Sequence, residues 1–454
     1  MSGTPQPAAP VLPKGITNAY WFQAFNAVSW QICLGNPLIL FARELGASAT
    51  TIGLLAGLMP LLTIAQIPAS HYAERIGYRR LMLCGWSARV TVLVFLFLLP
   101  LTEAFLTRNA MVVLLLAIMF LFNLLRGIAT CSWFPWISAI VPLSLRGYYL
   151  SMDRSFINVA SVMALLFSGG ILARGAGMKA FALVFFVGFL GGAISLYFLK
   201  RIPEPPATAG GAEKEQAAAW GDVIRDGDFL RFLGFGVAVP LGLFASTTFG
   251  VVFLREEIGL GNGAILYLNA ASALAGMTGL SLQGRHADRI GSKPFLGLAW
   301  VWWLASLLVW FLLAARVLPC PRQIAMANMV VGGFFGSIYE LSSTRLLMNT
   351  VGHKPGRARY FALYAVAVSL TAGLIPIPWG GVLDGLRHMR LELWGMTLDR
   401  YVVLYGAAWL SLFGIVILLA RVREPKSKPA VFMVYEVFVG MPVRGLTQLL
   451  QWFR

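Results

Sequence analysis

Two stretches of the sequence decide the fold: SHYAERIGYRR at residues 70–80 and GRHADRIGSK at residues 284–293. In both, an acidic residue precedes Arg-Ile-Gly, and a basic residue stands two positions after the glycine. A second pair of similar stretches follows them, RGYYL at 146–150 and RARYF at 357–361. Because two motifs recur in the same order, the sequence indicates an internal duplication.

Long apolar segments surround both copies. Of the 454 residues, 58% are hydrophobic and 12% are charged, which leaves too little polar surface to cover a soluble chain of this length. The apolar runs are continuous, as membrane-spanning helices require, whereas the strands of a barrel would alternate. We therefore predict an all-α transmembrane fold. The twelve predicted spans lie near residues 17–41, 50–70, 81–101, 110–140, 155–173, 178–199, 229–254, 262–284, 294–316, 323–348, 359–383 and 401–421.

The longest hydrophilic stretch between spans is residues 200–228, which are rich in Pro, Gly, Ala and charge. It predicts a cytoplasmic linker between two six-helix halves at residues 17–199 and 229–421. A polar tail at 1–16 precedes the first half. The basic and aromatic tail at 422–454 lies on the membrane interface in one interpretation and is unstructured in the other.

The formal net charge of +17 would suggest nucleic acid as the partner of a soluble protein. Here the basic residues cluster in the short loops between apolar runs, so we expect the lipid bilayer as partner and no nucleic acid. The same asymmetry of basic residues predicts that both termini are cytoplasmic. We expect a monomer in a bacterial inner membrane.

The charged stretches resemble the signature loop of the Major Facilitator Superfamily, Gly-x-x-x-Asp-Arg-x-Gly-x-Lys/Arg. The second copy matches it at Gly284, Asp288, Arg289, Gly291 and Lys293. The first copy carries Glu74 in place of the aspartate, Arg75, Gly77 and Arg79, with Ser70 in place of the first glycine. The resemblance implies the twelve-helix major facilitator fold with two pseudo-symmetric six-helix halves, and loops that stabilise an outward-open state. Without the resemblance, the bases of these loops would serve to set the topology.

Charged residues inside spans are costly in lipid and are therefore candidates for function. Arg126 in span four and Glu340 in span ten are the first of these, since the resemblance implies that both spans line a central cavity. Arg126 is expected to contact an anionic or polar solute, and Glu340, as a buried carboxyl, to exchange a proton. A structural ion pair is the alternative for both. Arg89 in span three is interpreted as structural.

Aligning the halves at Asn123 and Asn328 pairs Gly127 with Gly332 and Pro135 with Glu340. Polar residues of span one, spaced three and four apart, share a helix face that points to a cavity or a partner helix. Asp153, at the start of span five, is assigned to gating or topology. The complete set of predicted cavity residues is Gln23, Asn26, Trp30, Asn123, Arg126, Asn269, Tyr339, Glu340 and Tyr364.

The sequence has no phosphate-binding Gly-x-x-x-x-Gly-Lys-Ser/Thr loop and no histidine cluster with zinc spacing, so we expect no enzyme, metal or cofactor. We predict a secondary active transporter that moves a small polar organic solute by alternating access, coupled to protons, as in symport. One alternative is a uniporter for a neutral solute. The other is a non-transporting or lipid-flipping member of the same fold.

Overall fold

The structure is a computed structural model that describes residues 13–142, 145–175, 177–204, 220–351, 354, 357–393, 395–422 and 424. The side chains of residues 74, 147, 220, 284–290, 357 and 358 are outside this description. Most of both predicted tails, 1–16 and 422–454, therefore lies outside the described residues.

Twelve helical segments of the described chain are long and apolar enough to cross a membrane, which confirms the predicted number of spans. In chain order the helices are α1 (Thr17–Cys33), α2 (Asn36–Glu44), α3 (Ala49–Leu62), α4 (Gln66–Ile76), α5 (Tyr78–Leu98), α6 (Arg108–Thr130), α7 (Trp133–Ile140), α8 (Arg146–Arg174), α9 (Met178–Leu199), α10 (Trp220–Arg225), α11 (Gly227–Glu256), α12 (Asn262–Ile290), α13 (Lys293–Ala314), α14 (Pro321–Val351), α15 (Arg357–Leu374), α16 (Pro376–Gly385) and α17 (Arg400–Arg421). Short 3-10 segments at Thr63–Ala65 and Leu99–Ala104 follow α3 and α5, and an antiparallel hairpin of β1 (Leu391–Leu393) and β2 (Met396–Leu398) precedes α17.

Several spans consist of two helices, and proline explains two of the breaks. In the first span, Gly35 takes an extended backbone and Pro37 stands in the first turn of α2, where its missing N–H costs nothing. In the eleventh span, α15 ends at Leu374 just before Pro376, because the residue preceding a proline disfavours helical backbone.

The described chain forms two compact units, each with its own aromatic core. In the first unit, Trp136 and Phe22 are almost completely buried, and in the second, Phe235 packs edge-on against Trp300. The bounds of these units differ from those of the predicted halves, which stay a prediction. The first unit contains Met1–Lys214, Leu260–Ala270 and Ala372–Gly381, and the second contains Glu215–Gly259, Ala271–Thr371 and Val382–Arg454.

Both copies of the charged motif adopt the same backbone. The acid, Arg and Ile form the last turn of α4 or α12, so this part of each predicted loop is helical. The glycine then ends the helix with a positive φ, 90° at Gly77 and 94° at Gly291. A residue with a Cβ adopts this backbone only at a cost, so the conformation requires glycine at both positions.

The base that follows each glycine holds the end of another helix in the same unit. In the first unit, Arg79 Nη2 donates to the carbonyl oxygen of Lys200 at 2.8 Å, just past α9, and Arg79 also pairs with Glu204. In the second unit, Lys293 Nζ donates to the carbonyl oxygen of Val422 at 2.8 Å, just past α17. A cation is favourable at these positions because the last carbonyls of a helix carry partial negative charge.

An acidic residue that was not among the predicted residues completes each of these contacts. Glu424 accepts a hydrogen bond from the backbone amide of Lys293 at 2.7 Å, at the N-terminus of α13, where a carboxylate is favourable. Glu204 is the acid of the first unit. The sequence contains a signal for both, because RIPEP at 201–205 and RVREP at 421–425 form a third repeated motif.

Glycines bring the backbones of neighbouring helices together in both units. A Cβ on Gly127 of α6 would overlap the carbonyl oxygen of Leu62, and a Cβ on Gly333 of α14 would overlap that of Ser272 in α12. Small residues permit such close crossings in membranes. The sequence alignment paired Gly127 with Gly332, which has nothing within 4 Å of an added Cβ. The close crossing on α14 therefore lies at Gly333, one residue after the glycine that the alignment pairs with Gly127.

Asp226 caps the N-terminus of α11 and pairs with Lys354. Its Oδ1 accepts a hydrogen bond from the backbone amide of Phe229 at 3.1 Å. Burial alone would raise the pKa of Asp226, but the hydrogen bonds from Lys354 and Phe229 outweigh it and hold this pKa below its ordinary value. The carboxylate therefore stabilises the fold at neutral pH, and this contribution is lost as the pH falls from about 4 through the folded-state pKa.

We expect Asp226→Asn to lower the free energy of unfolding by about 1 kcal/mol at neutral pH, and by less as the pH falls below about 4. Asparagine is also a good N-cap, so the variant removes the charge and keeps the cap. Thermal unfolding in detergent across pH measures the effect. The control is Asp228→Asn, whose exposed pair with Arg231 is expected to contribute nothing measurable. A difference between Asp226→Asn and the parent protein that grows in acid would contradict the assignment.

Candidate functional site

One face of α1 carries three of the predicted cavity residues. Gln23, Asn26 and Trp30 are spaced three and four apart, and all three side chains are half-buried. Behind each of them lies a charged side chain of the first unit. These charged partners are Asp153 behind Gln23, Arg89 behind Asn26 and Arg126 behind Trp30.

Arg89, on α5, is 0% exposed. Its Nη2 donates to Oδ1 of Asn26 at 2.8 Å, and its guanidinium carbon lies 4.1 Å from the ring centroid of Trp86 and 4.8 Å from that of Phe122. Aromatic faces attract cations, which offsets part of the cost of burial. The interpretation of Arg89 as structural stays a prediction, and the structure adds its contact with Asn26, a predicted cavity residue.

Arg126, on α6, is 5% exposed. Its Nη2 donates to the carbonyl oxygen of Met59 at 2.9 Å and to Oγ1 of Thr63 at 3.2 Å, and its guanidinium carbon lies 5.4 Å from the ring centroid of Trp30. Within the described part of the chain, no carboxylate forms an ion pair with Arg126 or with Arg89. Trp30 therefore covers a buried and unpaired cation.

Asp153, on α8, is 7% exposed, and its Oδ2 accepts a hydrogen bond from Nε2 of Gln23 at 3.5 Å. Its Oδ1 has no hydrogen-bond partner, and neither do the hydroxyls of Tyr20 and Tyr149. The rings of these tyrosines stack with centroids 5.2 Å apart. Both hydroxyls interact electrostatically with the carboxyl group of Asp153. The structure thus places Asp153, assigned from sequence to gating or topology, against the polar face of α1.

The second unit contributes Tyr339 and Tyr364, whose hydroxyls both lie within hydrogen-bonding reach of Ser343. The ring of Tyr364 stacks on Phe232 with centroids 5.3 Å apart. Glu340 follows Tyr339 on α14, but its side chain is exposed. The prediction of a buried carboxyl is wrong, because its position within an apolar span did not determine which way the side chain faces. An ionisable group exposed on a spanning helix normally faces a water-filled cavity or other protein.

Some of the remaining predicted residues have described side chains, and others lie outside the described part. Asn123 is completely buried, and its amide nitrogen donates to the carbonyl oxygen of Met119 at 2.9 Å in its own helix. Its amide oxygen has no partner among the described residues, and its place in the cavity stays a prediction. Asn269 is half-buried, and its amide nitrogen has no partner. Arg75 is exposed. The side chains of Glu74, Gly284, Asp288 and Arg289 are outside the described part, so their roles stay predictions.

Twelve apolar spans with ionisable groups buried behind a polar helix face are typical of membrane transport proteins. The sequence profile of the Major Facilitator Superfamily matches residues 20–314 of this chain. The chain therefore belongs to the Major Facilitator Superfamily, a family of transporters, and it is an integral membrane protein with multiple spans.

A curated relative and two solved structures are among the similar proteins. An "MFS-type efflux pump" of Mycolicibacterium smegmatis is 25% identical over 271 residues, which are 58% of this chain and 60% of that protein, less than two thirds of its length. The nucleoside transporter NupG superposes with a TM-score of 0.62 at 14% identity, covering 89% of this chain and 99% of NupG. A D-xylose-proton symporter gives 0.65 at 14% identity, covering 91% and 98%. At such low identity the two structures show the fold alone, and they confirm the predicted twelve-helix major facilitator fold.

Proposed function

We propose that this chain is a secondary active transporter that moves a small polar organic solute across the membrane by alternating access, coupled to protons. In this proposal it works as a monomer in a bacterial inner membrane, with both termini in the cytoplasm. The bases of the loops after spans two and eight support that orientation.

The observation that carries the proposal is the α1 face. A helix in lipid exposes polar side chains only toward a cavity or a partner, and here half-buried Gln23 and Asn26 stand in front of buried Asp153 and Arg89. Keeping ionisable groups inside spans is costly, so a fold retains them where solute or ion transfer uses them.

The names of similar proteins support transport and leave its direction open. The Mycolicibacterium relative is named as an efflux pump, whereas the xylose protein is named as a proton symporter. The experiment therefore has to measure flux in both directions.

The direct test uses purified protein in proteoliposomes loaded with, or bathed in, a radiolabelled panel of sugars, nucleosides, amino acids and organic acids. Flux is measured with and without a pH gradient of either sign. Gradient-sensitive flux of one solute class supports the proposal. Flux that ignores the gradient identifies a uniporter, and no flux of any solute identifies a non-transporting member of the fold; both results contradict it.

A carboxyl that carries the coupling proton can be identified by amide substitution. We propose Glu340 for this role and expect Glu340→Gln to abolish accumulation driven by a pH gradient while downhill flux continues, because an amide cannot release a proton. Asp153→Asn is the matched comparison, since it neutralises the buried carboxyl of the first unit. If Glu340→Gln accumulates solute normally and Asp153→Asn does not, coupling belongs to Asp153 and the assignment to Glu340 is wrong.

A further inference from the structure

Within the described residues, two arginines of the first unit, Arg89 and Arg126, are buried cations without an acidic partner. They are 0% and 5% exposed, and both lie within membrane-spanning helices. The two guanidinium groups lie close enough to repel each other. In the described ranges neither forms an ion pair, so this part of the membrane domain holds an excess of positive charge.

Four more accessible cations of the described chain are neutralised by carboxylates. Their carboxylate partners are close, and most of these pairs lie near helix ends, where water also solvates them. The pairs are Arg79 with Glu204, Arg316 with Glu257, Lys354 with Asp226 and Arg400 with Glu256. Arg89 and Arg126, the two buried arginines, have no such counterion within the described ranges. A buried charge without a partner strongly opposes folding, so its retention indicates a use.

The unused hydrogen-bond donors of the two side chains indicate the kind of ligand that they fit. In the part of the chain that the structure describes, Nε and Nη1 of Arg89 and Nε of Arg126 have no hydrogen-bond partner. The Nη2 atom of Arg89 donates to Asn26, and that of Arg126 donates to Met59 and Thr63. A guanidinium presents its donors in a planar fork that matches the two oxygens of a carboxylate or phosphate. The free donors therefore fit an oxyanion that comes from outside the chain.

The polar face of α1 provides the approach to this pair. Trp30 is half-buried, and its ring centroid lies 5.4 Å from the guanidinium carbon of Arg126. Asn26, one turn earlier, is also half-buried and already contacts Arg89. Rotation of the Trp30 side chain would open Arg126 to a solute that lies along this face.

We propose that Arg126 and Arg89 bind the anionic group of the transported solute, so that the substrate is a small organic anion, a carboxylate or a phosphate ester. This inference rests on the proposed transport function and names its substrate class. Asn26 positions Arg89, and Trp30 covers the site until the anion displaces its ring.

The test measures thermal unfolding of the detergent-purified protein with matched probes that differ in charge. The pairs are succinate with succinamide, benzoate with benzamide, and glycerol 3-phosphate with glycerol. A ligand that binds the native state raises the apparent Tm. We expect at least one acid to raise it while its neutral partner does not, and the responding acids show whether the site takes carboxylates or phosphates. Equal shifts from acid and neutral partner, or no shift from any acid, would overturn the inference.

Variants locate the effect at the arginines. Arg126→Gln is expected to weaken the apparent affinity for the responding acid by about 30-fold or more, whereas Arg231→Gln, which removes an exposed arginine, leaves it unchanged. Without ligand, the Tm of Arg126→Gln should equal or exceed that of the parent protein, because an unpaired buried charge is gone. A lower Tm without ligand, or unchanged acid affinity, would indicate a structural arginine and overturn the inference.

Transport assays separate failure of this inference from failure of the proposed function. If proteoliposomes move neutral solutes and no acid, the result supports the proposed transport function and contradicts the anion site. If acids raise the Tm of the parent protein but not that of Arg126→Gln, and no solute moves, the result supports the anion site and contradicts the transport function.

Discussion

Solute flux is expected to fall by about tenfold or more when Gly57 is replaced by leucine. A Cβ on Gly57 of α3 would overlap the carbonyl oxygen of Gly373 in α15, and a Cβ on Gly53, one turn earlier, would overlap that of Pro376. Backbone cannot rotate aside as a flexible side chain can, so the two helices have to separate. Gly57, Gly373 and Pro376 belong to the same compact unit, so a variant that forces these helices apart disturbs the unit that contains the proposed site.

Uptake by proteoliposomes that contain equal amounts of folded protein measures this effect. Gly57→Ala is expected to give an intermediate loss, since its Cβ alone meets the same carbonyl oxygen. Gly381→Leu is the control, because an added Cβ at Gly381 has nothing within 4 Å. Normal flux through Gly57→Leu would show that this helix contact has no part in transport.

Stability is expected to respond in opposite directions to alanine at two adjacent glycines of α14. At Gly333 a Cβ would overlap the carbonyl oxygen of Ser272, and at Gly332 it would meet nothing within 4 Å. We expect Gly333→Ala to lower the free energy of unfolding by about 1–3 kcal/mol through overpacking. Gly332→Ala is expected to be neutral or to raise it by up to about 1 kcal/mol, because alanine favours the helix more than glycine does.

The Tm of the two variants in detergent tests this pair of expectations, with size-exclusion profiles to confirm that both fold. The added Cβ of Gly333→Ala would also overlap Oγ of Ser272. We therefore expect this variant to disrupt the hydrogen bond in which Oγ of Ser272 donates to the carbonyl oxygen of Met329 at 3.0 Å. Equal Tm values for the two variants would mean that the crossing of α12 and α14 is looser than the structure shows.

The sequence predicted well those features that depend on composition or on local backbone. Apolar runs gave twelve spans because lipid leaves a backbone no partner except its own helix. The repeated Arg-Ile-Gly marked Gly77 and Gly291, whose positive φ restricts the position to glycine. The spacing of Gln23, Asn26 and Trp30 placed them on one face, since helical periodicity is a local property.

The sequence predicted poorly the direction in which a side chain faces within a bundle. Glu340 and Arg126 both lie inside apolar spans, yet one is exposed and the other is buried beneath Trp30. Arg89 is connected to the predicted cavity face by its hydrogen bond to Asn26, a residue 63 positions away in the sequence. The third repeat, which contains Glu204 and Glu424, is visible in the sequence. Only the structure shows that these two acids lie beside Arg79 and Lys293.

The sequence by itself thus determined the membrane, the number of spans, the duplication and the glycines that end α4 and α12, because each follows from hydropathy or from the allowed backbone of one residue. The tertiary structure alone decided which charges have partners. Arg79 meets Glu204, whereas Arg89 and Arg126 meet no carboxylate among the described residues, and both outcomes depend on how helices distant in sequence rotate and cross. Helix rotation is fixed by packing against neighbours, and no local pattern encodes it.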